Sequence, residues 1–248
     1  SQGGRKSAIV KQQRTFTAEM AASDEDVEVT NSFVDLWNGV TVDAGSEALD
    51  TILNSDQVEA VFPVVVVERP DETATSVSSP DMYTAKSLTG ADYVQQDLGV
   101  TGAGIKIGII DTGVDIDNPV LGGTGVSGES SFPTTKVVAG YDLVGDDYNA
   151  DDPDTVRVPD SNPDDCAGHG THVAGIAAGN NTPSGDFTGV APDAVIGAYR
   201  VFGCDGTTDS DVMLEAMELA AADGMDVVNM SIGAAAVTWP NYPTAVAA

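Results

Sequence analysis

The first 70 residues carry a hydrophobic pattern that changes from helical spacing to alternation. Ile9, Phe16 and Met20 recur at helical spacing, whereas the apolar positions that follow alternate with polar ones, as they do in strands. The expected elements, in chain order, are a helix over 7–22, strands over 27–33 and 40–42, a short helix after Ser46 and a strand over 57–68. This order predicts a ferredoxin-like α+β domain that lacks its first strand.

A polar stretch separates this domain from the rest of the chain. Residues 70–80 are rich in Asp, Thr, Ser and Pro and show no periodicity, as expected of a solvated linker. We therefore place one domain at 1–70, a linker at 71–85 and a second domain at 86–248.

Beyond the linker, short apolar runs alternate with helical patterns. Strands are expected over 105–110, 195–202 and 226–232, and helices over 171–178 and 211–222. Alternation of this kind predicts an α/β domain with a parallel sheet and crossover helices. The acidic stretch 119–165 is rich in Gly and Pro, so we expect it to be mostly loop.

Acidic residues dominate the charge of the chain. Ten Lys and Arg stand against 39 Asp and Glu, which gives a formal net charge of −29. Nucleic acid and anionic membranes are therefore not expected as partners, and no apolar run approaches the roughly 18 to 20 residues that span a bilayer. Because about 1 M salt screens such repulsion over about 3 Å, the composition favours a saline environment.

The chain contains two cysteines, Cys166 and Cys204. From the residues alone they are a disulfide, two buried thiols or metal ligands. A zinc site normally takes four closely spaced ligands, and the chain's two histidines, His169 and His172, are the ones available to complete it.

Two segments carry residues suited to proton transfer. Asp111 follows an apolar strand in IGIIDTGV, so it lies where a parallel sheet presents functional groups. His169 stands between Gly168 and Gly170 in GHGTHVAG, where the missing side chains let another chain or a substrate come close to the imidazole. Together, Asp111 and His169 match the orienting half of a Ser-His-Asp triad.

Four motifs in series extend this match. IGIIDTGV, GHGTHVAG, FTGVAPDA and VVNMSIG occur in this order over residues 81–233, and the chain there resembles the subtilisin family of serine proteases. The segments DDCAGHGTHVAG and YRVFGCDG are similar to the minor extracellular protease branch of that family. Residues 1–70 resemble the family's inhibitory propeptide, chiefly through WNGVTVDA and VEAVFP.

The resemblance implies a subtilisin-like endopeptidase with a parallel-sheet catalytic domain. Asp111 would be the triad acid, His169 the general base and His172 a buried helper, while Thr112 would hydrogen-bond the acid and help to hold it ionised. The residues implied to pair with an extended substrate backbone are Gly206 and Thr207 on one side and Ser231, Ile232 and Gly233 on the other.

Further expectations follow from the same resemblance. Protein or peptide substrates, extracellular localisation and no cofactor for the chemistry are implied, with structural calcium as a possible addition. Cys166 and Cys204 would form a disulfide beside the substrate cleft. The propeptide-like region would act as an intramolecular inhibitor, with residues 57–70 lying along the cleft as a product-like strand.

The sequence departs from the family pattern at the nucleophile. No Gly-Thr-Ser-Met-Ala-like segment occurs in the 248 residues, Ser231 is the last serine, and the Asn of the family's oxyanion hole is missing. Acyl transfer needs both a nucleophile and oxyanion donors. We therefore expect the polypeptide as written to be catalytically inactive.

Three other functions compete with this interpretation. A nucleotide-binding domain is disfavoured because Gly102 and Gly104 precede the strand instead of following it. A metal-dependent hydrolase would use Asp111, His169 and His172 as ligands. A non-catalytic role would make the chain a propeptide or inhibitor-type binding module.

Overall fold

The computed structural model describes residues 2–23, 26–70, 82–180, 187–233 and 241–248. The chain forms two compact units. The first comprises Ser1–Val65, Asp209–Glu218 and Ala236–Ala248, and the second comprises Val66–Thr208 and Leu219–Ala235. The first unit is therefore assembled from three separate stretches of sequence.

One long helix and an antiparallel pair of strands build most of the first unit. The elements are α1 (Gln2–Ala22), β1 (Val27–Phe33), β2 (Gly39–Ala44), a 3₁₀ turn (Ser46–Ala48) and α2 (Leu49–Leu53). β1 pairs with β2. Phe16 and Met20, four residues apart on one face of α1, are buried together with Ala48 and Ile52. The helical and alternating patterns of the sequence thus predict these elements correctly.

The described residues of this region do not form the expected ferredoxin-like sheet. Within the predicted strand over 57–68, β3 covers only Val66–Glu68, and it pairs with β7 (Thr207–Asp209) instead of joining β1 and β2. Pro63 has no N–H to donate to a neighbouring strand, which disfavours a ladder through this segment. Residues 71–81 of the predicted linker lie outside the described residues, and α3 (Met82–Thr89) makes 82–85 helical.

A four-stranded parallel sheet is the centre of the second unit, which confirms the α/β class. In sheet order the strands are β5 (Val137–Asp142), β6 (Val195–Arg200), β4 (Lys106–Asp111) and β8 (Val227–Asn229). The helices from α4 onward are α4 (Ala91–Gln96), α5 (His169–Ala178), α6 (Ser210–Ala222) and α7 (Pro243–Ala247). In the described part of the chain, no helix combines the length and apolarity that crossing a membrane requires.

Small side chains let α5 pack closely on the sheet. Ala174 and Ala178 of α5 are fully buried in one cluster with Ile109 of β4 and Ile196 of β6. The two central strands are therefore covered by apolar side chains, as expected for a parallel sheet. This packing brings the N-terminus of α5 to the carboxyl end of β4.

Strand β5 lies within the stretch 119–165 that was predicted to be mostly loop. The stretch is otherwise mostly loop, as expected, and this one strand was not predicted because glycine weakens the strand pattern there. A Cβ at Gly140 would lie 2.0 Å from the carbonyl oxygen of Ala198 in β6, so a close approach of the two backbones requires this glycine.

Candidate active site

The candidate site lies at the carboxyl end of the parallel sheet. Asp111 is the last residue of β4, is fully buried, and is paired in register with Arg200, the last residue of β6. His169 is the first residue of α5. Strand ends and a helix start thus carry the charged side chains, as ligand sites of α/β sheets do.

The imidazole of His169 contacts the carboxylate of Asp111. The distance between His169 Nδ1 and Asp111 Oδ1 is 2.8 Å. The aspartate side chain is completely buried, whereas 16% of the histidine side chain is exposed. With Nδ1 held by the acid, Nε2 is the ring nitrogen left to exchange a proton with another molecule.

Burial raises the pKa of Asp111, and hydrogen bonds from His169 and from the Thr112 backbone oppose that rise. The Thr112 N–H donates to Oδ1 at 2.7 Å, while the buried Oδ2 accepts no hydrogen bond from the residues that the structure describes. The contact predicted between Thr112 and the acid is thus made by its backbone. The Thr112 hydroxyl donates instead to Asp165 Oδ1.

Gly170 permits the close approach of α5 and β4. A Cβ at this position would lie 2.1 Å from the carbonyl oxygen of Gly113 and 3.1 Å from Cβ of Asp111. The close approach predicted for this glycine is thus made at Gly170 by the protein's own backbone and not by a substrate. Gly168 has φ +99°, a left-handed conformation that glycine adopts without strain.

His172 is exposed, which corrects the implied buried helper. The buried residues of α5 include Gly170, Ala174 and Ala178, which recur every four residues along one face. A residue two positions after Gly170 points to the opposite side of the helix, because each residue advances about 100°.

Arg200, the last residue of β6, contacts two aspartates and the sulfur atoms of both cysteines. Its Nη1 lies 3.1 Å from Asp142 Oδ2 and 2.8 Å from Asp146 Oδ1. Burial raises the pKa of Asp142, while backbone N–H donors and Arg200 oppose the rise. Because the buried guanidinium is paired with carboxylates, its charge is compensated where water is excluded.

Cys166 and Cys204 are joined by a disulfide, with their Cα atoms 5.3 Å apart. Cys166 lies three residues before His169, and Cys204 follows β6, so the bond ties the start of α5 to the end of the sheet. Nη2 of Arg200 lies 3.1 Å from the Cys166 sulfur and 3.6 Å from the Cys204 sulfur.

The backbone of Thr207, one of the predicted substrate-binding residues, is already engaged within the protein. Its N–H and hydroxyl both donate to Asn149 Oδ1, at 3.1 and 3.0 Å, and its carbonyl accepts the Ala150 N–H at 3.2 Å. Neighbouring residues in an extended chain direct their backbone groups to the other side. Gly206 is therefore better placed than Thr207 to pair with another strand, whereas Thr208 is fully buried and belongs to β7, which already pairs with β3.

The other predicted substrate-binding residues follow β8. Ser231 and Gly233 are exposed and Ile232 is half-buried. The Ser231 hydroxyl donates to Asn229 Oδ1 at 2.9 Å. This segment is thus accessible for a backbone partner, and its serine has a local hydrogen-bond acceptor.

Comparisons with known proteins identify the family of the chain. A sequence profile described as the subtilase family matches residues 102–248, which include Asp111, His169 and the parallel strands. The chain belongs to the subtilase family. This membership confirms the family resemblance found in the sequence.

Three relatives illustrate the similarity. The chain is 34% identical to the minor extracellular protease Vpr of Bacillus subtilis (strain 168), a match covering 83% of this chain and 24% of the relative. It is 35% identical to subtilisin DY of Bacillus licheniformis, over 59% of this chain and 43% of the relative. It is 36% identical to thermitase of Thermoactinomyces vulgaris, over 53% and 38%. The chain thus spans less than half the length of each.

Asp146, Cys166 and Cys204 form the one grouping of possible metal ligands found in the described part of the chain. Both cysteines are consumed by the disulfide, so neither supplies the thiolate that binds a metal. The alternative set of Asp111, His169 and His172 is not brought together as a ligand group among the residues described. Structural calcium stays a prediction without an assigned site.

Sequence reasoning missed Asp165, which lies four residues before His169 and accepts hydrogen bonds from three segments. The available signal was the preference for Asp just before a helix, where its oxygens accept free backbone N–H groups. It also missed Arg200, since nothing in the local sequence shows which strand end lies beside Asp111.

Proposed function

We propose that this chain is part of a serine-type endopeptidase in which Asp111 orients His169 as the general base of a Ser-His-Asp triad. The observation that carries the proposal is the 2.8 Å contact between His169 Nδ1 and the buried Asp111 Oδ1. Membership of the subtilase family supports the same reaction class.

The arrangement assigns a direction to each proton. Asp111 accepts the Nδ1 proton of His169 and so holds the neutral imidazole with Nε2 free of hydrogen. Nε2 then takes the proton of a serine hydroxyl while the serine oxygen attacks the carbonyl carbon of the peptide bond. The resulting imidazolium, stabilised by the Asp111 carboxylate, gives that proton to the departing amine.

The 248-residue polypeptide itself is proposed to have no peptidase turnover. Its sequence contains no Gly-Thr-Ser-Met-Ala-like segment, and Ser231, its last serine, donates its hydroxyl to Asn229. Without a nucleophile and oxyanion donors, the orienting pair has nothing to activate. Turnover of a peptide substrate by this polypeptide, with contaminating proteases excluded, would disprove this part of the proposal.

The reaction class is tested on the complete reading frame. We expect peptidase activity that a serine-directed inhibitor abolishes and a chelator leaves intact at the chemical step. His169→Ala and Asp111→Asn should each lower kcat by about 10⁴-fold or more with the fold retained. Loss of activity on chelation, with resistance to the serine reagent, would favour the metal-dependent alternative.

The substrates are proposed to be proteins or peptides bound in extended form. Gly206, with φ +90° and a Cβ position filled by Asn149, lies on one candidate backbone edge, and Ser231–Gly233 supply the other. No cofactor takes part in the proposed chemistry. Similarity to a protease named extracellular supports secretion, and the charge of −29 supports a saline setting.

Residues 1–70 are proposed to act as an inhibitory propeptide. The carboxylate of Glu218 in α6 accepts the backbone N–H groups of Val34, Asp35 and Leu36 at 3.0, 2.8 and 3.0 Å. One half-buried carboxylate that accepts three consecutive amides is the geometry of a specific docking contact. It favours an inhibitory role over an unrelated binding function for this region.

The propeptide role is tested by processing and release. Mass spectrometry of the full-length precursor should find a cleavage between residues 64 and 92. Glu218→Gln, which weakens the three amide contacts, should speed the release of activity, whereas Glu28→Gln on the exposed side of β1 should not. An uncut precursor that is fully active would contradict the assignment.

A further inference from the structure

The half-buried carboxylate of Asp165 accepts five hydrogen bonds. Oδ1 accepts the Ala167 and Gly168 N–H groups, both at 2.9 Å, and the Thr112 hydroxyl at 3.0 Å. Oδ2 accepts the N–H of Thr171 at 3.0 Å and its hydroxyl at 2.5 Å. Five donors from three segments therefore converge on one side chain.

The two threonines form a reciprocal pair of bridges between α5 and the segment after β4. Thr112, which follows β4, accepts the N–H of Gly170 in α5 through its hydroxyl oxygen at 2.9 Å. Thr171, in α5, accepts the N–H of Asp115 in the segment after β4 at 2.9 Å. Each hydroxyl thus crosses to the other segment.

Asp165 fixes the direction of both bridges. A threonine hydroxyl has one proton, and both protons are donated to Asp165, so each oxygen presents lone pairs to the opposite N–H. An ionised carboxylate can accept both hydroxyl protons because each of its oxygens is a hydrogen-bond acceptor and neither is a donor. An asparagine would turn an NH₂ group towards one set of these donors and break half of the network.

The bridges enclose the candidate catalytic pair. Thr112 is the residue after Asp111 and donates its N–H to that carboxylate, while Gly170 is the residue after His169. The Thr112–Gly170 hydrogen bond therefore closes a short ring with the His169–Asp111 contact as its other side. A shift of either threonine moves one member of the pair relative to the other.

We propose that Asp165 is a positioning residue that sets the His169–Asp111 hydrogen bond through the hydroxyls of Thr112 and Thr171. This inference rests on the proposed peptidase function. It assigns to Asp165 no contact with substrate; the side chain acts by holding the start of α5 against the end of β4 through donors that only a carboxylate satisfies.

Asp165→Asn in the complete protease tests the proposal. We expect kcat to fall by about 10- to 100-fold, because small misplacements of catalytic groups cost that much, while KM changes by less than about twofold. Asp160→Asn is the matched control, since it removes one charge from an exposed side chain of the same segment. The control should retain the wild-type kcat.

A second readout does not require turnover. In the wild-type protein the His169 Nδ1 proton should give a far-downfield NMR signal, assigned by its loss in His169→Gln. Asp165→Asn should shift or broaden this signal, and Asp160→Asn should leave it in place. If the wild-type protein shows no peptidase activity but the NMR result holds, the proposed function fails while the positioning role stands.

The threonines supply the test if Asp165→Asn does not fold. Thr112→Ser and Thr171→Ser keep a hydroxyl and should retain kcat, whereas Thr112→Val and Thr171→Val remove one bridge each and should lower it. Unchanged kcat and an unchanged His169 signal in the asparagine and valine variants would overturn the proposal. The proposal would also be overturned if the decrease in kcat across these variants simply tracked the decrease in their melting temperatures.

Discussion

At the scale of single residues, two buried aspartates differ in how the fold treats their charge. Asp111 is buried at the strand end, and this burial raises its pKa. Hydrogen bonds from the side chain of Ser130 and from the backbone N–H groups of Gly128 and Ser130, the latter two at 2.6 and 2.7 Å, lower the pKa of Asp117. Ionisation of Asp111 therefore destabilises the folded state, whereas ionisation of Asp117 stabilises it.

The two aspartates should respond to pH with opposite signs. A raised pKa means that Asp111 favours folding in its protonated form, and this contribution is lost as the pH rises from the unfolded pKa, near 4, through the higher folded value. Asp111→Asn should therefore raise the melting temperature at pH 7 and have little effect below pH 4. The new amide nitrogen can replace the unpartnered Oδ2, so no existing hydrogen bond is lost.

Asp117→Asn provides the comparison. A lowered pKa means that its contribution is present above the unfolded pKa and is lost as the pH falls through the lower folded value. This variant should lower the melting temperature at pH 7. Calorimetry of both variants at pH 4 and pH 7 gives the answer, and shifts of the same sign at pH 7 would contradict it.

At the scale of elements, the site depends on how closely α5 approaches β4. Gly170 lies at the contact, where a Cβ would overlap the Gly113 carbonyl. The strand and the helix are each recognisable from sequence, but their separation is a property of the packed pair. Backbone proximity of this kind leaves no trace in hydrophobic periodicity.

Gly170→Ala should destabilise the fold by about 1–3 kcal/mol, because an overfilled contact forces the helix away from the sheet. Gly175→Ala is the matched control in the same helix. Among the described residues its Cβ would meet only Phe187, at 4.0 Å, and alanine is the better helix former by about 0.5–1 kcal/mol. Denaturant unfolding that finds the two variants equally stable would show that the contact adapts.

The disulfide links the same two regions at a longer range in sequence. Cys166 and Cys204 are separated by 38 residues, and closing a loop of this length stabilises the fold by about 4 kcal/mol on the chain-entropy estimate. Cys166→Ser combined with Cys204→Ser should lower the unfolding free energy towards that amount. A change below about 1 kcal/mol would mean that other contacts already hold these segments.

Sequence patterns predicted the helices and strands better than the tertiary contacts between them. Residues 106–111 and 195–200 were recognisable as strands because they are short, apolar runs. The strand over 137–142 was missed because glycine interrupts it. The meeting of Asp111 with His169 followed from motifs, whereas Asp165 acts through hydroxyl and amide donors from three segments, which only tertiary structure brings together.

At the scale of the whole molecule, charge is the dominant property. A net charge of −29 on 248 residues creates repulsion within the folded chain, and salt screens it. The melting temperature should therefore rise steadily between 0.1 and about 2 M KCl. A sucrose series with matched viscosity separates screening from general solute effects, and a flat or falling KCl series would exclude a saline adaptation.

Because the first unit is built from three separate stretches of sequence, it can be completed only late in synthesis. Residues 1–65 leave the ribosome before the other two stretches of the unit, Asp209–Glu218 and Ala236–Ala248. The backbone N–H groups of residues 34–36 therefore cannot bond to Glu218 until more than 180 further residues have been translated. The nascent N-terminal segment spends that interval without its acceptor, and its maturation is coupled to the arrival of the chain that it is proposed to restrain.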